Sequence, residues 1–181
     1  MFFIIFKTFL ILLGFEKATR FFSFVARNIG PHLHVSQIAR NNINNTLKLQ
    51  NIEELIGKIW DHYGRYIAEF IFIDRLTQDD LNKRITITGL DNVKKYIDAG
   101  QPFLLCLAHI GNWDFLIRNI NILYPEFSII YRKANNPFID AEILKTRQNK
   151  TVHMIEKGSG GVKNIIKAIK AKHAIAILVD Q

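Results

Sequence analysis

A histidine and an aspartate five residues apart lie in a setting that suits acid–base chemistry. His109 directly follows the apolar run at 103–108, and Gly111 permits a tight turn before Asp114. If His109 ends a strand and Asp114 begins a helix, the carboxylate can accept a hydrogen bond from one ring nitrogen, and the other nitrogen can take a proton from an attacking hydroxyl. Only His109 among the six histidines has an acid five residues later. We predict His109 as a general base oriented by Asp114; the alternative is an ordinary strand-end histidine.

Alternating periodicities predict the elements that would position this pair. From residue 85 onward, short β-like runs alternate with segments of helical spacing, which is typical of βα units and of a mainly parallel, buried sheet. The predicted fold class is therefore α/β, with helices flanking the sheet. The predicted strands are 85–88, 103–108, 127–131, 151–155 and 174–179, and the predicted helices are 91–100, 113–123, 137–148 and 161–171.

Polar residues follow each of the last four predicted strands. Besides His109, these are Arg132, Lys157 and Asp180. In an open parallel sheet, ligands bind beyond the carboxyl ends of the strands. We therefore expect these groups to converge on one edge of the sheet.

The N-terminal segment is strongly apolar. Residues 1–15 are too few for a spanning helix, which needs about 20 apolar residues, and Lys7 interrupts them. Aromatic residues beside basic ones favour a helix lying in the membrane interface, and the alternative is a helix packed on the domain itself. We predict a membrane-associated helical segment at 1–30 and an α/β domain at 31–181, with two amphipathic helices at 36–49 and 52–73.

The net charge of the chain limits the classes of partner that it is expected to bind. The chain has 24 Lys and Arg against 16 Asp and Glu, a net charge of +8, which favours a phosphorylated lipid, an anionic membrane, an acidic protein or nucleic acid. A nucleic-acid partner is not expected, because there is no basic stripe and no RNA- or DNA-binding motif.

The lone Cys106 forms no internal disulfide and is expected to be a small buried residue. No Cys/His spacing predicts a metal site.

Several motifs together resemble the late acyltransferases of lipid A biosynthesis, the lauroyl/myristoyl transferase family. The central motif is Leu104-Leu-Cys-Leu-Ala-His-Ile-Gly-Asn-Trp-Asp-Phe115. Ile87-Thr-Gly-Leu-Asp91 resembles the lead-in to that motif, and Ile177-Leu-Val-Asp-Gln181 resembles a block that ends in Asp-Gln. A further block is carried by Tyr131, Arg132, Asn136, Pro137 and Arg147, and the N-terminal apolar segment and Arg40-Asn-Asn-Ile-Asn-Asn45 also fit.

The resemblance implies an enzyme that moves a fatty acyl chain from acyl carrier protein to a hydroxyl of a lipid A precursor. It implies His109 and Asp114 as the catalytic pair and Arg132, Asp180 and Asn112 as substrate-binding residues, with Arg132 holding an anionic group. It implies no cofactor, an anionic lipid acceptor and a place on the cytoplasmic face of the inner membrane.

Two departures from the family pattern leave alternatives open. Asp114 stands where Glu is common, and family members continue past the Asp-Gln block. The C-terminal part of the domain is therefore expected to be missing, as in a fragment, a split gene or a decayed copy. One alternative is an inactive membrane-bound remnant; another is a His-x4-Asp acyltransferase acting on a different phospholipid or glycolipid.

Overall fold

The computed structural model describes residues 2–47 and 49–180, with side chains from Ile5 onward. Met1, Lys48 and Gln181 lie outside the described residues, so the predicted Asp180-Gln181 pair is described only at Asp180. The chain divides into two compact units between Arg75 and Leu76. The predicted boundary after residue 30 separates a membrane-associated segment from an acyltransferase domain, which is a functional division, and it stays a prediction.

The N-terminal unit is helical. Its two central helices, Phe15–Ile29 and Ile52–Phe72, pack closely because the second places Gly64 against the first: a Cβ at Gly64 would lie 2.6 Å from the carbonyl oxygen of Phe22. Among the described residues, no helix is both long and apolar enough to cross a membrane. The helices are α1 (Phe2–Leu13), α2 (Phe15–Ile29), α3 (His34–Leu47) and α4 (Ile52–Phe72), with 3-10 turns at Gly30–His32 and Ile73–Arg75.

The second unit has the predicted α/β class, with a four-stranded parallel sheet and flanking helices. The strands are β1 (Leu104–Leu107), β2 (Phe127–Tyr131), β3 (Val152–Glu156) and β4 (Ala174–Leu178). The helices are α5 (Gln78–Arg84), α6 (Asp91–Asp98), α7 (Trp113–Arg118), α8 (Pro137–Arg147) and α9 (Gly161–Lys170), with a 3-10 turn at Ile120–Ile122.

The order of the strands across the sheet is β1-β4-β2-β3. The register pairs Leu107 with Leu178 and Tyr131 with Glu156, which are the last residues of the four strands. Pairing of Ile129 with Ala176 sets β2 beside β4 in the same register. All four strands therefore end at one level, so the residues that follow them share one edge, as predicted.

Buried apolar clusters pack on both faces of the sheet. Phe127, Val152 and Ala174 belong to a buried cluster that also takes in Ile117 of α7. Ile155 and Ile175, which point to the other face because side chains alternate along a strand, pack with Ala168 of α9. This two-sided burial explains why the strands read as continuous apolar runs.

Two predictions about strands were wrong. Residues 85–88 alternate between partly buried and exposed but form no strand in the described structure. Ile87 packs against the core from outside the sheet, so the alternation reports burial of one side without a pairing partner. The expected burial of Cys106 was also wrong, since Cys106 is exposed. It lies on β1, an edge strand, and Leu104, on the same face of that strand, is exposed as well.

Candidate active site

The ring of His109 is paired with a carboxylate at the carboxyl edge of the sheet. His109 Nδ1 lies 2.8 Å from Asp180 Oδ1, and the backbone N–H of His109 donates to Asp180 Oδ2 at 2.7 Å. The two side chains are 27% and 37% exposed. One carboxylate therefore fixes both the backbone and the ring of His109, while the site stays open to a substrate.

The sheet register explains this pairing. β1 and β4 are neighbours, and each residue of β1 lies opposite the residue 71 positions later. The amide of Val179 donates to Leu107, which continues the ladder beyond the strands. His109 and Asp180 therefore occupy equivalent positions just past two adjacent strand ends.

The hydrogen bonds from His109 also favour the ionised form of Asp180. The pKa of Asp180 lies below its ordinary value, first because the backbone N–H of His109 donates to it and second because the His109 ring does. An ionised carboxylate only accepts hydrogen bonds, so the ring nitrogen that faces it, Nδ1, is the donor. In the neutral imidazole the lone pair that a general base requires is then on Nε2.

Asp114 makes a different contact from the predicted one. Its side chain is 1% exposed and forms a two-bond ion pair with Arg147, with Oδ1 accepting from Nε at 2.5 Å and Oδ2 from Nη2 at 3.0 Å. The predicted orienting contact with His109 is thus made by Asp180, and Asp114 instead joins the first turn of α7 to the last turn of α8. The reason is that Asp114 points into the unit, whereas His109 lies at its edge.

The turn between His109 and α7 is shaped by local sequence. Gly111 has a φ of 62°, a left-handed conformation that favours glycine. Asn112 caps α7, since its side chain accepts a hydrogen bond from the amide of Asp114 at 3.1 Å. The ring of Trp113 meets the His109 ring edge-on, with centroids 4.7 Å apart. The His-Ile-Gly-Asn-Trp-Asp sequence thus builds a turn that returns Trp113 against the imidazole.

Basic residues continue along the same edge. Arg132 is exposed and directly follows β2, and Lys157 follows β3, where its amide donates to the carbonyl of Tyr131. Burial raises the pKa of Tyr131, and the carboxylates of Asp140 and Glu156 raise it further. The edge therefore combines a histidine–aspartate pair, exposed cations and a neutral phenol.

The expectation that residues following the strands share one edge of the sheet correctly placed these residues, but it did not predict which of them pair. Two partners were missed: Asp180 for His109, and Arg147 for Asp114. Both pairings depend on long-range register and helix packing, because the partners are 71 and 33 positions apart in the sequence. Among the described residues, one group has geometry suitable for a metal ion, namely Glu126, His153 and His173. It lies at the opposite, amino edge of the sheet.

Comparison with known proteins identifies the family. A sequence model of the family described as bacterial lipid A biosynthesis acyltransferase matches residues 1–181. The chain belongs to this acyltransferase family. The resemblance read from the His109, Tyr131–Arg147 and Asp180 motifs is thereby confirmed.

A search of curated proteins found a relative that is named for a lipid acyltransferase. The chain is similar to the phosphatidylinositol mannoside acyltransferase of Mycolicibacterium smegmatis, with 28% identity over 91 residues. The aligned region is 50% of this chain and 29% of that relative. The aligned part of this chain therefore covers less than a third of the length of that relative.

Proposed function

We propose that this chain carries the acyl-transfer site of an enzyme that moves a fatty acyl group from acyl carrier protein to a hydroxyl of a lipid A precursor. The observation that carries the proposal is the His109–Asp180 pair, 2.8 Å apart at the carboxyl edge of the sheet, in a chain of the lipid A acyltransferase family. Of the residues named from sequence, His109 keeps its role as general base, and Asp180 replaces Asp114 as the group that orients it.

The chemistry follows from the proton positions. His109 Nε2 accepts the proton of the acceptor hydroxyl as its oxygen attacks the thioester carbonyl carbon. A C–O ester bond forms and the C–S bond breaks, and the departing thiolate takes the proton from His109. Asp180 stabilises the imidazolium between these steps through Nδ1–H. A general base of this kind accelerates transfer by about 10²- to 10⁴-fold.

The neighbouring groups have supporting roles. Arg132, exposed beyond β2, binds an anionic group such as a phosphate of the acceptor. Asn112 acts on the site by capping α7 and thereby fixing the turn after His109. Asp114, held by Arg147, anchors the same turn from inside the unit.

Membrane attachment fits the helical unit. Ile5, Phe9 and Leu12 are exposed on one face of α1, and Phe21 and Phe24 are exposed on α2. The rings of Phe9 and Phe21 touch edge-on, with centroids 5.8 Å apart, so the two helices present a continuous apolar ridge. We assign this ridge to the cytoplasmic face of the inner membrane, where an amphipathic helix buries its apolar side in the interface.

The test is transfer of a labelled acyl chain from acyl carrier protein to a tetra-acylated lipid A precursor. His109→Ala and Asp180→Asn should each lower the rate about 10²- to 10⁴-fold, and Arg132→Ala should raise KM for the acceptor. His34→Ala, an exposed histidine of the helical unit, serves as the control and should leave the rate unchanged. Full activity in His109→Ala would show that His109 is not the general base. A wild-type chain that binds lipid without transfer would indicate an inactive remnant.

A mannosylated lipid is the second candidate acceptor, because the relative from Mycolicibacterium smegmatis is named a phosphatidylinositol mannoside acyltransferase. The same preparation is offered a mannosylated phosphatidylinositol in a parallel arm. His109-dependent transfer to that lipid, without transfer to the lipid A precursor, would favour this acceptor while keeping the same catalytic pair.

A further inference from the structure

The amino edge of the sheet holds a second cluster of ligand-bearing side chains. Glu126, His153 and His173 each offer one donor atom, and these atoms all lie within 4.8 Å of one another. His153 Nε2 lies 3.1 Å from Glu126 Oε2, and the two imidazole rings stack at 4.7 Å and 24°. The cluster lies at the edge opposite to His109, so the proposed acyl transfer makes no use of it.

The backbone fixes these three positions. Glu126 precedes β2, His173 precedes β4, and His153 is the second residue of β3. The ladder pairs Ser128 with His153 and Phe127 with Ala174, and the amide of Ala174 donates to the carbonyl of Glu126. Side chains on paired strand ends are held more rigidly than side chains on loops, which favours a preorganised site.

A buried hydroxyl orients one of the imidazoles. Ser128 is 1% exposed, and its Oγ lies 2.9 Å from His173 Nδ1. When Oγ accepts the Nδ1 proton, the lone pair that can bind a metal is on His173 Nε2. Histidines that bind metals usually hold their other ring nitrogen in such a hydrogen bond.

The charge of the donor set suits a divalent cation. Two neutral imidazoles and one carboxylate together carry a single negative charge, and they offer the nitrogen and oxygen donors that transition-metal ions prefer.

We propose that Glu126, His153 and His173 form a binding site for a divalent transition-metal ion, with Zn²⁺ the best match. Two histidines and one glutamate, with water completing the coordination, are a known Zn²⁺ ligand set. The bound ion would tie together the amino ends of β2, β3 and β4. No spacing in the sequence reveals this site, because its ligands come from three segments that the sheet brings together.

The test is a Zn²⁺ titration of the full chain, purified without a histidine tag, in competition with a chelating dye. The wild type should bind one Zn²⁺ and show a rise in Tm. His153→Ala and His173→Ala should weaken binding by at least about 100-fold, and Ser128→Ala, which removes the orienting hydroxyl, by about 10- to 100-fold. Binding should also weaken at low pH, since imidazole binds metal only when neutral.

The controls separate this site from adventitious binding. The double variant His32→Ala/His34→Ala removes two exposed histidines of the helical unit and should leave the affinity unchanged. Glu126→Gln changes a side chain that is 40% exposed, so it tests the site if either histidine variant fails to fold. An affinity unchanged in Glu126→Gln, or lost in the His32/His34 variant, would overturn the proposal, and so would a wild type with no saturable binding.

Discussion

At the scale of single residues, Asp180 links the site to the pH dependence of stability. Its pKa is lowered, chiefly by the backbone and ring hydrogen bonds from His109. A carboxyl with a lowered folded-state pKa stabilises the fold above its unfolded pKa of about 3.9 and loses this contribution as the pH falls through the folded value. The same hydrogen bonds that prepare His109 as a base should therefore be visible in acid unfolding.

We predict that Asp180→Asn flattens the acid limb of stability. As the pH falls below about 4, the urea midpoint of the wild type should drop more steeply than that of the variant. Every other carboxyl is common to both chains, so the difference in slope reports Asp180. The measurement is urea unfolding, followed by circular dichroism, at a series of pH values. Parallel slopes would mean that the pair is not formed in solution.

At the same scale, the role of His109 could be predicted from the sequence, but the identity of its partner could not. His109 could be recognised from its apolar run, the glycine and the following acid, because those features are local. Its partner could not, since Asp114 and Asp180 both fit the chemistry. The choice between them depends on which strand lies beside β1, and that neighbour is β4, 71 residues away.

At the scale of elements, the buried ion pair between Asp114 and Arg147 joins α7 to α8. A buried pair is costly to break, because removal of one partner leaves an uncompensated charge. Both elements also flank the site: α7 follows the His109 turn, and α8 follows Arg132. The pair should therefore support the position of the catalytic turn without taking part in proton transfer.

We predict that Asp114→Asn or Arg147→Met lowers the free energy of unfolding by about 3–5 kcal/mol. The double variant should lose less than the sum of the two, because neither charge is then left unpaired. Urea unfolding of the four chains provides the double-mutant cycle. Additive losses, or a stability unchanged in Asp114→Asn, would show that the pair contributes little. In folded protein, Asp114→Asn should retain far more activity than Asp180→Asn.

In the helical unit, two glycines of α4 test how closely α2 and α4 pack: Gly64 lies at the close contact, and Gly57 serves as the control. Gly64 meets Ala26 and the Phe22 backbone so closely that a Cβ would lie 2.6 Å from each, whereas a Cβ at Gly57 would come no nearer than 3.9 Å to Arg27. Gly64→Ala should destabilise the unit by about 1–3 kcal/mol through overpacking. Gly57→Ala should stabilise it by about 0.5–1 kcal/mol, since alanine favours a helix. Thermal unfolding compares the two; equal shifts would contradict the close approach of α2 and α4.

Elements were largely predictable, because periodicity and caps are local signals. The predicted strands at 103–108, 127–131, 151–155 and 174–179 match β1 to β4 within one or two residues. The alternating segment at 85–88 was misread, because alternation shows which side chains are buried but not whether a neighbouring strand is available. The order of the strands was beyond the sequence, since it depends on where each βα unit crosses the sheet.

At the scale of the whole molecule, composition and surface describe a basic protein with an apolar ridge. The net charge of +8 favours anionic lipid. The ridge of Ile5, Phe9, Leu12, Phe21 and Phe24 lies on the helical unit. Together the two features suit an interfacial protein that combines hydrophobic insertion with electrostatic attraction. The two contributions can be tested separately, because salt weakens the electrostatic attraction without removing the hydrophobic insertion.

We predict that the chain binds vesicles containing phosphatidylglycerol more tightly than vesicles of phosphatidylcholine alone, with a salt-sensitive difference. The triple variant Phe9→Ser/Leu12→Ser/Phe24→Ser should weaken binding to both by at least about tenfold, since each removed side chain forfeits apolar burial in the interface. The matched control is Ile122→Ser/Val162→Ser/Ile169→Ser, which changes three exposed apolar residues of the α/β unit and should retain binding. Vesicle co-sedimentation measures all three chains. If the control loses as much binding as the ridge variant, apolar exposure in general, rather than the α1–α2 ridge, holds the protein on the membrane.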